Sequence, residues 1–299
     1  MKIDTLKSDL ILFLVAFIWG VAFVAQRSGM EHVGPFTFNG LRFLLASVSL
    51  VPFMFFFNNG VKEKRVKLKQ YSKSELIKYG FISSIFLFSG ISLQQVGLVY
   101  TTAGKAGFIT GLYVVIVPII GLVLKLHRTN FNTWAGALLA TVGMYFLSVT
   151  SDFTIGFGDF LVLLCAFCFA GHVIVIANFS KKFPAIQLSF VQSLICSLVS
   201  LIIAFAIENV NMEGIIDASV PIFYGGVFSS AIAYSLQIYA QKKSHPAHAS
   251  IIMSFESVFA ALAGWIILNE VFSGRAVLGC ILILIGMLIS QLFRLNNKN

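Results

Sequence analysis

The chain has 299 residues, of which 58% are hydrophobic and only 11% are charged, and its formal net charge is +9. Soluble domains average about 25% charged residues, so this composition excludes an ordinary soluble protein and indicates a chain surrounded by lipid. In a soluble protein the positive charge would suggest nucleic acid. Here the lysines and arginines fall in alternate loops, so we expect membrane lipid and no nucleic acid as a partner.

Ten apolar segments approach the length of about 20 residues that is needed to cross a bilayer. Lys2 and Lys7 precede the first one, as in a secretory signal, but no small-residue cleavage site follows. We therefore expect this segment to be retained as a membrane span. The predicted spans 1 to 10 are, in chain order, Asp9–Ser28, Pro35–Phe57, Leu76–Leu98, Ala103–Lys125, Phe131–Val149, Gly156–Asn178, Pro184–Ile207, Ser219–Ala240, Pro246–Leu268 and Gly274–Phe293.

The connections between the spans are short except for Asn58–Glu75, which is polar and strongly basic. Most of the 21 lysines and arginines lie on the same side of the membrane as this loop, whereas Glu208 and Asp217 lie on the other. Basic loops stay in the cytoplasm. The pattern therefore predicts that both termini are cytoplasmic, and that the loop contacts anionic lipid headgroups.

Matching features recur in the two halves of the chain, which predicts two repeats, residues 1–150 and 151–299. The pairs are Ala16-Phe17 with Ala166-Phe167, Tyr100 with Tyr239, and Gly136/Gly143 with Gly279/Gly286. A repeat with five spans must insert its second copy upside down. We therefore expect an all-α polytopic membrane protein with ten transmembrane helices, built as two inverted five-helix repeats with the substrate site between them.

The order and spacing of several short motifs resemble a known family. The motifs are Trp19-Gly20 in span 1, Pro35 and Arg42-Phe43 in span 2, Tyr100-Thr101-Thr102-Ala103 and Pro118 around span 4, and the stretch from Ser254 to Ala261 with Leu268-Asn269-Glu270 around span 9. Together they resemble the EamA-type transporters of the drug/metabolite transporter superfamily over nearly the whole chain. Two residues depart from the family pattern. Ser257 replaces the usual proline, which leaves bending of span 9 open, and Asn269 replaces a glycine.

The resemblance implies export of amino acids or other small metabolites, mostly by bacteria. It therefore implies a multi-pass protein of the bacterial cytoplasmic membrane. No ATP-binding loop is present, so we expect facilitated or ion-coupled transport without a cofactor.

Two charged residues lie deep inside predicted spans. Glu256 is ten residues into span 9, or about 15 Å, and Arg42 is about 10 Å into span 2. Charges at such depth are expected to face a cavity or a partner. Glu256 could bind a substrate ammonium, carry a coupling proton or be structural, and Arg42 could bind a carboxylate or form a fixed ion pair. At the equivalent positions of the other repeat, Val117 corresponds to Glu256, and Val191 or Gln192 corresponds to Arg42.

Uncharged polar and aromatic side chains near mid-depth complete the predicted substrate site, although ordinary packing would also explain each one. His172 could relay protons or simply be hydrogen-bonded within the core. The candidates other than Arg42 and Glu256 are Trp19, Gln94, Tyr113, His172, Gln192 and Tyr234.

Other residues that could carry chemistry have plainer interpretations. His245 and His248 flank Pro246, but two ligands make no metal site, and a helix start with proline in its first turn explains them. The four cysteines lie in apolar segments, so no disulfide framework or metal centre is expected.

These observations favour a secondary transporter that moves a small metabolite, such as an amino acid or related zwitterion, by alternating access. The alternatives from other classes are an intramembrane enzyme or a flippase acting on a lipid-linked substrate. The sequence leaves open a homodimer and does not identify the cargo.

Overall fold

A computed structural model describes residues 3–60, 72–126, 130–148, 156–268 and 273–296. All regular structure in these ranges is helical. The loop predicted at Asn58–Glu75 lies largely outside them, as does the predicted turn around Ser151 and Asp152. The helices of the first half are α1 (Ile3–Gly29), α2 (Pro35–Gly60), α3 (Lys73–Tyr100), α4 (Ala103–Gly111), α5 (Tyr113–Val123) and α6 (Phe131–Ser148).

The second half contains a short helix between spans 7 and 8 that the sequence did not predict, and it contains one π-helix. Its elements are α7 (Phe157–Phe179), α8 (Ala185–Ile207), α9 (Met212–Asp217), α10 (Ser219–Phe223), the π-helix (Tyr224–Ala233), α11 (Tyr234–Gln241), α12 (Pro246–Met253), α13 (Glu256–Leu268) and α14 (Gly274–Asn296).

All ten predicted segments are helical where the structure describes them. Within the described ranges, eight helices are long and apolar enough to cross a membrane, and Gly274–Ser290 in α14 is a shorter apolar helix. The protein is therefore an all-helical, multi-pass membrane protein. Helix α3 starts at Lys73, three residues before the predicted span, because Ser72 and Glu75 form a capping box at its N-terminus.

Spans 4 and 9 are each broken into two helices near their middle. Span 4 breaks at Leu112, whose backbone N–H donates to the carbonyl oxygens of Ile109 and Thr110. Span 9 breaks at Ser254 and Phe255, where the Ser254 hydroxyl donates to the Ile251 carbonyl at 2.8 Å. A serine hydroxyl that bonds its own backbone competes with the helical ladder. Span 9 is thus interrupted although no proline is present at position 257.

Helices α6 and α14 pack closely and antiparallel along two glycine pairs. A Cβ atom on Gly136 would lie 2.5 Å from the Gly286 carbonyl oxygen, and one on Gly143 would lie 2.6 Å from the Gly279 oxygen. The first contact joins the start of α6 to the middle of α14, and the second joins the end of α6 to the start of α14. Small residues at such contacts allow backbones to approach each other closely.

We predict that Gly143→Ala lowers the stability of the protein by about 1–3 kcal/mol, because the added methyl group must displace the backbone of α14. Gly274→Ala is the matched control, since no atom lies within 4 Å of a Cβ built there. Thermal unfolding in detergent would measure both. Equal melting temperatures for the two variants would contradict the close packing of α6 on α14.

Helix pairs from opposite halves form much of the remaining core. The end of α8 meets the start of α2, where Glu208 accepts hydrogen bonds from the backbone of Phe36 and Thr37 at 2.8 and 2.7 Å. Helix α3 likewise runs antiparallel to α7. Helix α1 runs parallel to span 9, with Gly20 against the backbone of Glu256 and Ala260. The broken helices and α1 therefore meet at the boundary between the halves.

Candidate functional site

A cavity lies where the broken helices, α1, α2, α3, α7 and span 8 converge. The space between its lining atoms measures about 520 Å³, open solvent included. The lining residues are Trp19, Ala22, Phe23, Gln26, Arg42, Gln94, Thr110, Tyr113, Phe169, His172, Val173, Ser229, Tyr234, Gln237, Met253 and Glu256.

Seven of the eight residues predicted for the site line this cavity. The exception is Gln192, which is buried behind His172 and is joined to the His172 Nε2 atom through its Oε1 atom at 3.2 Å. Gln192 therefore orients a lining residue. Thr110 and Ser229 also line the cavity but were not among the predicted residues. Thr110 lies two residues before the break at Leu112, and nothing in the sequence marks that break.

Glu256 is the first residue of α13, at the break in span 9. Its side chain is buried, and Oε1 has no hydrogen-bond partner in the described part of the chain. The N-terminus of a helix carries a partial positive charge that favours a carboxylate. The break thus supplies a local stabilisation for an acidic group inside a membrane protein, while one carboxylate oxygen remains available to a ligand.

Tyr113 holds the corresponding position in span 4, because it is the first residue of α5 after the break at Leu112. Counted from the two breaks, the counterpart of Glu256 is therefore Tyr113, and the prediction of Val117 was wrong by one helical turn. The Tyr113 hydroxyl is close enough to Glu256 to interact with it electrostatically. No hydrogen bond of ordinary geometry satisfies that hydroxyl within the described residues.

Arg42 lies on α2 with only 3% of its surface exposed. Its guanidinium carbon lies 5.5 Å from the ring centre of Phe38 and 5.1 Å from that of Phe43, within the range of cation–π attraction. The Nε atom has no hydrogen-bond partner among the described residues. Nor do Arg42 and Glu256 form an ion pair within 4.0 Å there. An acidic and a basic side chain thus line one cavity without a direct ion pair.

Aromatic side chains form a wall beside Arg42. The ring centre of Tyr234 lies 5.0 Å from Trp19, 6.1 Å from Phe43 and 5.9 Å from His172. The Trp19 indole donates to the carbonyl oxygen of Ser229 at 3.1 Å, which ties α1 to the π-helix. These contacts restrain the rings, so the wall offers a ligand a pre-arranged apolar surface.

Uncharged polar groups also line the cavity. Gln94 donates to the Thr110 hydroxyl at 3.1 Å, which joins α3 to the end of α4. Across the described ranges no group of three or more side chains is placed to hold a metal ion, and the four cysteines are free. The arrangement can bind a small polar molecule through charges and hydrogen bonds.

The chain matches the model of the EamA-like transporter family over residues 6–149 and 156–292. An uncharacterized transporter of Archaeoglobus fulgidus is 33% identical over 97% of this chain and 87% of its own length. The uncharacterized transporter YoaV of Bacillus subtilis is 23% identical over 91% and 92%. A solved crystal structure shares the fold, with a TM-score of 0.74 over 98% of this chain and 99% of that one at 16% identity.

These matches decide between two of the classes that the sequence left open. The family and the relatives are named transporters and not enzymes, so the intramembrane-enzyme alternative is wrong. The matched residues span both halves of the helical fold and the cavity between them. The chain is therefore a membrane transporter that belongs to the EamA-like transporter family.

Proposed function

We propose that this transporter moves a small zwitterionic metabolite, such as an amino acid, by alternating access around the cavity between its halves. The observation that carries the proposal is the pair of buried opposite charges, Arg42 and Glu256, that line one cavity without an ion pair. A buried charge without a partner is costly, so a ligand that supplies the missing partners gains affinity there.

The chemical class of the cargo is inferred from the buried polar atoms that lack a hydrogen-bond partner among the described residues. The free oxygen of Glu256 suits an ammonium group, and the guanidinium of Arg42 suits a carboxylate. Trp19 and Tyr234 offer apolar surface for the rest of the molecule. An α-amino acid carries both charged groups on one carbon and has room for a side chain against the aromatic wall.

The alternating-access mechanism rests on two inverted five-helix repeats, residues 1–150 and 151–299, with ten membrane spans. Three features support this architecture: the antiparallel packing of α6 on α14, the antiparallel packing of α2 on α8, and the breaks in spans 4 and 9. Interrupted helices at corresponding places in two halves are the usual surroundings of a transporter's substrate site. Rocking of one half against the other would expose the cavity to each face in turn.

The proposed membrane is the bacterial cytoplasmic membrane, and the proposed direction is export. The charge pattern predicts that the basic loop Asn58–Glu75 is cytoplasmic and that the segment from Glu208 to Asp217 is outside. Single cysteines at Lys67 and Glu213, labelled with a membrane-impermeant reagent on intact cells, would test this. We expect labelling at position 213 only. Labelling at position 67 would contradict the orientation.

Uptake into liposomes that contain the purified protein tests the proposed function. A ligand screen by thermal stabilisation over amino acids and related metabolites would first select the candidates. We then expect saturable flux of a zwitterion without chemical change. Movement of a lipid-linked molecule across the bilayer, with no flux of soluble metabolites, would favour the flippase alternative instead.

A further inference from the structure

Among the described residues, two contacts between an acidic and a basic side chain lie outside the cavity, and each joins a broken helix to a neighbouring span. The first connects His248, in the first turn of α12, to Asp9 on α1. The His248 Nε2 atom lies 3.3 Å from Asp9 Oδ1, and its Nδ1 atom lies 3.0 Å from the Ser290 hydroxyl on α14. Only 5% and 6% of the two side chains are exposed. Three spans therefore meet at His248.

The second pair connects Lys105, in the first turn of α4, to Asp159 in the first turn of α7. The Lys105 Nζ atom lies 2.5 Å from Asp159 Oδ2. Asp159 also accepts a hydrogen bond from the Thr101 hydroxyl at 2.7 Å and from the backbone of Gly156 at 2.8 Å. Its carboxylate therefore holds the start of span 4 against the start of span 6.

The two pairs occupy matching places in the two halves. Lys105 precedes Tyr113 by eight residues, and His248 precedes Glu256 by eight, so each basic residue lies equally far from its helix break. Asp9 and Asp159 are 150 positions apart, the same separation as Ala16 and Ala166. In each case an acidic residue of the half's first span holds a basic residue at the start of the other half's broken span.

In the proposed ten-span topology, successive spans alternate in direction. Spans 1 and 9 then start at the cytoplasmic face, and spans 4 and 6 start at the outer face. Asp9–His248 would lie at the cytoplasmic face, and Lys105–Asp159 would lie at the outer face. The cavity lies between the two pairs, because it is lined by Glu256 and Tyr113 at the breaks.

We propose that Asp9–His248 and Lys105–Asp159 are the positioning residues of two matched clamps that close the cytoplasmic and the outer face, and that each clamp opens only while the other is closed. The inference rests on the proposed alternating access. Both pairs are closed in this structure. The carboxylates of Asp9 and Asp159 are buried, and a buried carboxylate that loses its hydrogen-bonding partner is costly, so a state with both clamps open would be disfavoured. Loss of one clamp should then favour the state that is open on that side.

The contacts around the two clamps differ. Lys105 donates to Asp159, whereas His248 is also joined to Ser290 through its second ring nitrogen. Asp159 additionally caps α7, so its removal would disturb that helix as well as the clamp. Lys105 and Asp9 are therefore the better positions at which to weaken each clamp.

A single cysteine at the cavity residue Ser229, in a chain whose four cysteines are replaced, tests the clamps without knowledge of the substrate. Its rate of reaction with a membrane-impermeant thiol reagent is measured from each face, in right-side-out and inside-out vesicles. We expect Lys105→Met to raise the rate from outside at least threefold and to lower it from the cytoplasmic face. Asp9→Asn should do the reverse. The exposed residues Lys181 and Glu213 provide matched controls, Lys181→Met and Glu213→Gln, for which no change is expected.

Rates that match the controls, or that change equally at both faces, would overturn the clamps. If either variant folds poorly by size-exclusion chromatography, Lys105→Gln replaces Lys105→Met, and His248→Gln replaces Asp9→Asn. Each replacement should shift the two rates in the same directions as the variant that it replaces, and wild-type rates in a folded replacement would overturn that clamp. Failure of alternating access is distinguishable, because the reporter would then react from one face only in the wild type and in every variant.

Discussion

Glu256→Gln is expected to reduce substrate flux about ten- to hundredfold while the protein still folds and inserts. The amide has nearly the shape of the carboxylate, and it keeps a hydrogen-bonding group at the start of α13. It cannot provide the negative charge that an ammonium group needs, and hydrogen bonds to charged groups contribute about 1.5–3 kcal/mol each. Uptake into proteoliposomes and the melting temperature in detergent would measure the two effects separately.

The matched control for this change is Glu213→Gln, which removes an exposed carboxylate on α9 that does not line the cavity. We expect it to leave both flux and melting temperature unchanged. Wild-type flux in Glu256→Gln would remove this carboxylate from substrate binding and from coupling. A large fall in its melting temperature would instead assign Glu256 a structural role.

Arg42→Lys is expected to weaken substrate binding at least about tenfold, because an ammonium cannot reproduce the planar fork with which arginine holds a carboxylate. The lysine would keep the positive charge near Phe38 and Phe43, so stability should change little. The concentration of substrate that gives half-maximal flux would report the binding. Arg275→Lys is a suitable control, since Arg275 also lies 5.2 Å from an aromatic ring, that of Tyr145, but outside the cavity.

The double variant Arg42→Met with Glu256→Gln separates the binding role from a fixed ion pair. If the two residues only neutralised each other, each single change would strand a buried charge, and the double change would recover stability and flux. The described structure places them in one cavity without an ion pair. We therefore expect no recovery of flux. Wild-type flux in the double variant would contradict the proposed site.

The helical segments could be predicted from hydropathy, and most of the candidate residues from their depth in a span. A polar or charged residue in the middle of an apolar span needs a cavity or a partner, and Arg42, Glu256 and Tyr234, which were chosen by this argument, line the cavity. It placed Gln192 on the cavity as well, whereas Gln192 lies behind His172. Depth along a helix does not specify which side of the helix a residue occupies.

The helix breaks could not be predicted, because no proline stands at either of them. Leu112 is an ordinary helix former, and the hydroxyl bond from Ser254 to Ile251 is of the same kind as the one from Ser250 to Ala247 inside the unbroken helix α12. The ion pair of Asp9 with His248 joins residues 239 positions apart. The sequence explained His248 by its neighbour Pro246 and gave no indication of that distant partner.

The central claim is that one substrate site is exposed to each face of the membrane in turn, and counterflow tests it most directly. Proteoliposomes are loaded with an unlabelled excess of the metabolite found by the screen, and uptake of the labelled metabolite from a dilute outside solution is followed. The account predicts a transient accumulation of label above equilibrium that saturates with concentration and is absent in Glu256→Gln. Uptake that rises linearly with concentration and is not stimulated by the internal metabolite would contradict alternating access and indicate a passive channel.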